Sequence, residues 1–314
     1  MTDAHDLPRA EPKRVFVAGA TGVVGQPAVR ALVADGHRVT GVARTPAKAD
    51  LLRALGADAV AVDLFDAAAV KAATEGHDVV VNLATRIPPS SQAWRSSAWA
   101  ENERLRTEAS ALLADAALDH GAERFVQEAL AFAYADHGEA WIDEDEPIEP
   151  PGELGGVLAA EASAGRVTEA GAVGIVLRFG NFYGPTAGHT REQAQLVRRR
   201  VSPTPGDPEA WWSLVHTDDA GTAVTAALRA PAGAYNVVDD RPVRRRELDE
   251  AMAQAMGVGR LRRPPKVVRR AVEAKAPILT RSIRASNDRL KAATGWAPTY
   301  PSVVEGWAAV AADT

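Results

Sequence analysis

Over its first half the chain alternates short apolar runs with stretches of helical length. The runs Val15–Ala18, Val39–Val42, Ala59–Val62, Val79–Leu83, Arg124–Gln127 and Ile175–Phe179 read as strands. Between them, segments such as Gln26–Asp35 and Glu101–His120 carry apolar residues at helical spacing. Gly36, Gly76 and Gly121 stand just past helix ends, where a left-handed residue is commonly needed. The alternation predicts an α/β fold, a doubly wound parallel sheet covered on both faces, over residues 13–180. Residues 1–12 read as a flexible arm. Beyond Gly180 the pattern loosens. The segment Pro203–Pro208 reads as a loop, Trp212–His216 as a strand and Asp218–Arg229 as a helix. Residues 181–314 are expected to form a smaller α+β substrate lobe, with some segments near 212–238 returning to the sheet.

The first apolar run leads into Gly19, Gly22 and Gly25, directly ahead of a helix. Each glycine has a physical use there. The first permits a tight turn, the second lets backbone approach a pyrophosphate, and the third lets helix pack closely on strand. The helix N-terminus supplies N–H groups for the anion, and Thr21, Val23 and Val24 complete the turn into it. The reading is a Rossmann-type dinucleotide site. An acidic residue at the end of the second strand would hold the ribose diol of NAD. This chain has Arg44 there, with Lys48 a turn later, so NADP is favoured over NAD through its 2′-phosphate. Asp63 closes the third strand, where it can meet the adenine amino group or cap a helix.

Composition narrows the setting. A hydrophobic share of 46% and a charged share of 25% are those of an ordinary globular protein. A formal charge of -5 argues against nucleic acid or an anionic membrane as partner. No apolar run reaches membrane-span length, and residues 1–12 are too polar for a signal peptide, which points to the cytoplasm. With no cysteine there is no thiolate nucleophile or thiolate metal site, and the histidines show no metal-ligand spacing. A Gly-x-Ser-x-Gly elbow is also absent.

From Val15 to about Trp307 the chain resembles the extended or atypical short-chain dehydrogenase/reductases of the NAD-dependent epimerase/dehydratase type. The resemblance rests on the loop Gly19-Ala20-Thr21-Gly22-Val23-Val24-Gly25, on Val79–Ala84, on Asn102 and on Arg124-Phe125-Val126. The acidic segment Asp143–Pro150, Arg178–Pro185, Val215–Ala220 and Ala234–Val238 extend it. It implies further cofactor contacts from Leu64, Leu83, Ala84, Thr85 and Asn102, a small-molecule substrate and homodimerisation. It also implies a Ser or Thr after the fifth strand and a Tyr-x-x-x-Lys pair on the next helix. Neither is present. Ala129 and Leu130 stand at the hydroxyl positions, Glu153 at the Tyr place and Val157 at the Lys place. No lysine occurs between Lys71 and Lys266, so no shift of alignment restores the pair.

Four polar residues fall near the expected mouth of the site. Tyr134 can act as acid, Glu128 as a base if burial raises its pKa, Arg86 as a holder of a carboxylate or enolate, and Glu153 as acid or base. Each has a plain structural alternative in packing, capping or ion pairing. Trp94, Trp99, Trp141, Trp211 and Trp212 can line an aromatic pocket or serve as core, and Arg198–Arg200 read as an exposed helix end or a phosphate contact. Three functions stay open: an NADP-linked oxidoreductase or epimerase with an unorthodox proton donor, a non-redox isomerase, lyase or cyclase, and a nucleotide-sensing regulator.

Overall fold

In the computed structural model, residues 11–88, 95–185, 187–275 and 280–312 are described. The sequence-predicted strands form with small shifts of boundary. They are β1 (Arg14–Ala18), β2 (Arg38–Val42), β3 (Asp58–Val60), β4 (Val79–Asn82), β5 (Arg124–Leu130) and β6 (Val173–Phe179). The helices of this half are α1 (Gly25–Ala34), α2 (Pro46–Ala54), α3 (Ala67–Thr74), α4 (Ala100–Arg104), α5 (Ser110–Asp119) and α6 (Gly156–Glu169). A π-helical turn, Leu105–Ala109, joins α4 to α5, so the single helix expected over Glu101–His120 carries a wide turn at its centre. Gly36, Gly76 and Gly121 take φ of +94°, +68° and +67° at the ends of α1, α3 and α5, as the helix-stop reading requires.

The second half adds β7 (Asn181–Tyr183), α7 (Gly188–Arg198), β8 (Trp211–Trp212), β9 (Leu214–His216) and α8 (Thr217–Ala227). It continues with β10 (Gly233–Val237), β11 (Val243–Arg244), α9 (Arg245–Ala255), α10 (Lys266–Lys275), α11 (Asp288–Thr294) and α12 (Val303–Ala312). The strand expected over Trp212–His216 is split. β8 pairs antiparallel with β11, whereas β9 pairs in parallel with β7. Ser213 lies between them and gives its hydroxyl to the Ile283 carbonyl (3.0 Å).

Seven strands make one parallel sheet in the order β10-β6-β5-β4-β1-β2-β3. Its two faces read directly off the pleat. Val15, Val17, Val79 and Val81 join the core that includes α1 and α8, while Phe16, Ala18 and Val80 join the core that includes α3, α5 and α6. The strand order reverses between β1 and β4, so a crevice opens at their carboxyl ends, the usual seat of a ligand in such sheets. A third core, built on Trp212, Leu248, Met252 and Trp307, belongs to the C-terminal elements.

Candidate active site

The glycine loop is built as its sequence demands. Gly19 sits at φ +77°, and a Cβ there would lie 2.4 Å from the Leu83 carbonyl carbon. A Cβ on Gly25 would lie 2.1 Å from the Gly19 carbonyl oxygen. At Gly22 such a Cβ would meet one atom within 4 Å, the Gly19 carbonyl oxygen at 3.1 Å, a tight contact but a far milder one than at Gly19 or Gly25. Gly22 N–H closes the turn on Gly19 O (2.9 Å). α1 starts beyond Val24 with no side-chain cap; Gln26 N–H is taken by Gly22 O (3.2 Å) and Pro27 has none, which leaves the Gly25 N–H for an anion. The arrangement fits a dinucleotide pyrophosphate.

The remaining cofactor candidates surround this loop. Thr21 and Val23 are half-buried, and Thr21 O accepts from Gln26 Nε2 (3.2 Å). Val24, Leu64, Leu83 and Ala84 are buried, and Ala84 N donates to Asn82 Oδ1 (3.1 Å). Arg44 and Lys48 are exposed beyond β2, and neither meets a carboxylate among the described residues. Thr45 between them caps α2, accepting from Lys48 N (3.4 Å). Asp63 is exposed and uses one carboxylate oxygen to accept from Phe65 N (3.0 Å), so it shapes the turn after β3. Thr85 is exposed. Asn102 is fully buried and holds the loop after β4 by accepting from Arg86 N (3.1 Å).

Past the loop, the residues expected at the hydroxyl and lysine positions are apolar and closed. Ala129 and Val157 are 0% exposed and Leu130 is 3% exposed. Glu128 is buried against Arg106, whose Nη2 lies 2.8 Å from one carboxylate oxygen and 3.0 Å from the other. Burial pushes the Glu128 carboxyl above its ordinary value although the guanidinium opposes the shift. Tyr134 is 0% exposed. Its hydroxyl accepts from Arg178 Nη1 (2.8 Å) and donates to Asn236 Oδ1 (2.9 Å). Burial pushes this phenol up to about 12, although Arg178 opposes the shift. Arg178 in turn grips Glu161 of α6 with two bonds of 2.9 Å. Arg86 is exposed and meets Glu101 at 3.8 Å. The side chain of Glu153 lies outside the described residues. Tyr134, Glu128 and Arg86 share no hydrogen bond or ion pair with one another.

Of the five tryptophans, Trp212 takes the core alternative, and Trp141 and Trp211 have the Arg284 guanidinium between them, at 4.1 and 4.2 Å from their ring centres. Trp99 packs half-buried on the core under α5, and Trp94 lies outside the described residues. Arg198–Arg200 form an exposed helix end. Sequence reasoning missed Arg106, Glu161 and Arg178. A signal existed for the last, since an arginine inside the apolar run Ile175–Phe179 must find a buried partner. Among the described residues, no cluster of His, Asp or Glu could hold a metal ion, and no helix is long and apolar enough to cross a membrane.

A seven-stranded parallel sheet with a three-glycine loop at its reversal point defines a dinucleotide-linked enzyme of the short-chain dehydrogenase/reductase kind. The chain belongs to the NAD-dependent epimerase/dehydratase family, whose model matches residues 15–238. It is 36% identical to a 3-diazoavenalumate denitrifying reductase from a Streptomyces species, over 93% of this chain and 98% of that protein. In fold it is similar to human epimerase family protein SDR39U1 with NADPH, at a TM-score of 0.78 and 23% identity over 96% of this chain and all (100%) of that one. DesIV, the dTDP-glucose 4,6-dehydratase of Streptomyces venezuelae with NAD bound, gives a TM-score of 0.78 at 19% identity, covering 96% of each chain.

Proposed function

We propose that the protein is an NADPH-dependent reductase that replaces the diazonium nitrogen of an aromatic substrate by hydrogen. One observation carries the reading: Ala129, Leu130 and Val157 fill the places of the hydroxyl and the lysine with buried apolar side chains. Reducing a carbonyl places negative charge on oxygen, so a positioned acid is needed. A diazonium group makes no such demand. The bound cofactor would supply a hydride, in the balance Ar–N2⁺ + NADPH → Ar–H + N2 + NADP⁺, with the carbon–nitrogen electron pair leaving on N2. Positive charge on the substrate is lost along this path and no anion forms. Apolar walls stabilise the neutralising transition state better than the cationic ground state, which is the differential that accelerates a reaction. The denitrifying activity named for the 36% identical relative supports the same chemistry.

In this reading Gly19, Gly22 and Gly25 with the first turn of α1 hold the pyrophosphate. The exposed cations Arg44 and Lys48 receive the 2′-phosphate and favour NADPH over NADH. Tyr134, Glu128 and Glu153 have no proton to transfer. The alternatives that need a base lose support for a physical reason, because Glu128 is held in a buried pair with Arg106. A test follows NADPH absorbance and N2 release together, using a cinnamate with a diazonium group on its ring. Equal amounts of NADPH consumed and N2 formed are expected, with no turnover of ketones or aldehydes. Turnover of carbonyl substrates and not of the diazonium would contradict the proposal.

A further inference from the structure

The loops after β4, β5 and β6 lie side by side at the carboxyl edge of the sheet, where a substrate must meet the cofactor. Residues 83–88, 131–155 and 180–185 belong to the segments that follow these strands, and Arg86 is the one lysine or arginine among those residues. Arginines that enter this region from elsewhere are engaged. Arg178 is spent on Glu161 and Tyr134, and Arg281 donates to the carbonyls of Tyr134 and Glu149 (2.8 Å each). Arg86 differs. Its backbone is fixed through Asn102, yet its side chain is 61% exposed and meets Glu101 at 3.8 Å, too long for a hydrogen bond. Beside it, Ile87 is 55% exposed, and Phe132, just past the adjoining strand β5, is half-buried, giving apolar surface for a ring.

We infer that Arg86 is the specificity residue for an aryl carboxylate, holding the substrate's acid group and giving up Glu101 to do so. The ligand class follows from the chemistry: a fork of N–H donors matches a carboxylate, and the apolar neighbours suit an aromatic body. The inference rests on the reductive reading for the identity of the reacting group, but its test does not. The resting pair with Glu101 predicts opposite effects from its two members. Removing Arg86 abolishes recognition, whereas neutralising Glu101 relieves a competitor for the same guanidinium.

The test is calorimetric binding of 4-hydroxycinnamate and of its methyl ester to the protein with NADP⁺ present. The wild-type protein is expected to prefer the acid by about tenfold or more. Arg86→Met should bring the acid to the affinity of the ester. Glu101→Gln should tighten the acid by roughly twofold and leave the ester unchanged. Both residues are exposed, so unchanged thermal midpoints are expected and are measured alongside. No preference for the acid in the wild type, or a preference that survives Arg86→Met, overturns the inference. Neither probe carries a diazonium group, so an acid preference seen without N2 release from a diazonium substrate would sustain Arg86 and count against the reductive reading alone.

Discussion

Tyr134 shares its hydroxyl between Arg178 and Asn236 in a fully buried setting, and that arrangement sets what its loss must do. Tyr134→Phe leaves the Arg178 donor and the Asn236 acceptor without their partner, at a cost of about 1–3 kcal/mol in unfolding free energy. Turnover per folded molecule should change less than about twofold, because no proton passes through this group. Urea unfolding and steady-state kinetics on the same preparation check both halves. A collapse of turnover with stability intact would restore Tyr134 as the acid. The expected absence of Ser and Lys needs nothing but residue positions along the chain. The fate of the polar residues that remained was not legible there. Glu128 finds its partner 22 residues away and Tyr134 finds Asn236 at a separation of 102, distances over which no local pattern speaks.

At the scale of elements, the glycine loop makes a graded claim. A side chain at Gly25 would strike Gly19 O and the Ala20 backbone, so Gly25→Val must open the β1–α1 turn. It is expected to lower the thermal midpoint and to abolish NADPH binding. At Gly22 a methyl would crowd Gly19 O alone, at 3.1 Å, which a small shift relieves, and in Gly22→Ala it intrudes where the pyrophosphate would lie. Binding should weaken by about tenfold or more with the midpoint nearly unchanged. Fluorescence titration and thermal melts on the two variants separate these outcomes, and equal effects on both would refute the assignment. Elements of this half were legible because strand and helix periods differ and glycines mark their ends, as the positive φ values of Gly36, Gly76 and Gly121 illustrate. The π turn at Leu105–Ala109 and the split of Trp212–His216 were not. Both coincide with partners from other parts of the chain, Arg106 meeting Glu128 in one and Ser213 meeting Ile283 in the other, which no local pattern encodes.

Across the whole molecule, a buried acidic cluster ties the C-terminal segment to the rest. Asp239 accepts from the Tyr183 hydroxyl (3.1 Å), which also donates to Ser302 O (3.3 Å), and Asp219 accepts from the backbone of Thr299 and Tyr300. Burial holds the Asp239 carboxyl well above its ordinary value, and the Asp219 charge reinforces the shift. A raised folded-state value means that folding retains a proton which the unfolded chain releases above about pH 4. The stability contributed by the neutral group is therefore complete below that pH and is lost as pH rises through the folded-state value. Asp239→Asn keeps an acceptor for Tyr183 and cannot ionise. It should be more stable than the wild type at pH 8 and lose that advantage near pH 4, as thermal melts across this range would register. A variant that is less stable at every pH would contradict the assignment.

With the sheet, the glycine loop and the closed apolar wall so arranged, hydrogen is expected to reach the substrate from the cofactor with no acid of the protein taking part. NADPH deuterated at the transferable position of its nicotinamide, given with a ring-diazonium cinnamate in ordinary water, tests this most directly. Mass spectrometry of the denitrified product should find one deuterium on the ring carbon that bore nitrogen. The complementary run, unlabelled NADPH in D2O, should leave that carbon without deuterium. Label arriving from D2O and not from the cofactor would mean that a proton donor completes the product, which contradicts hydride delivery.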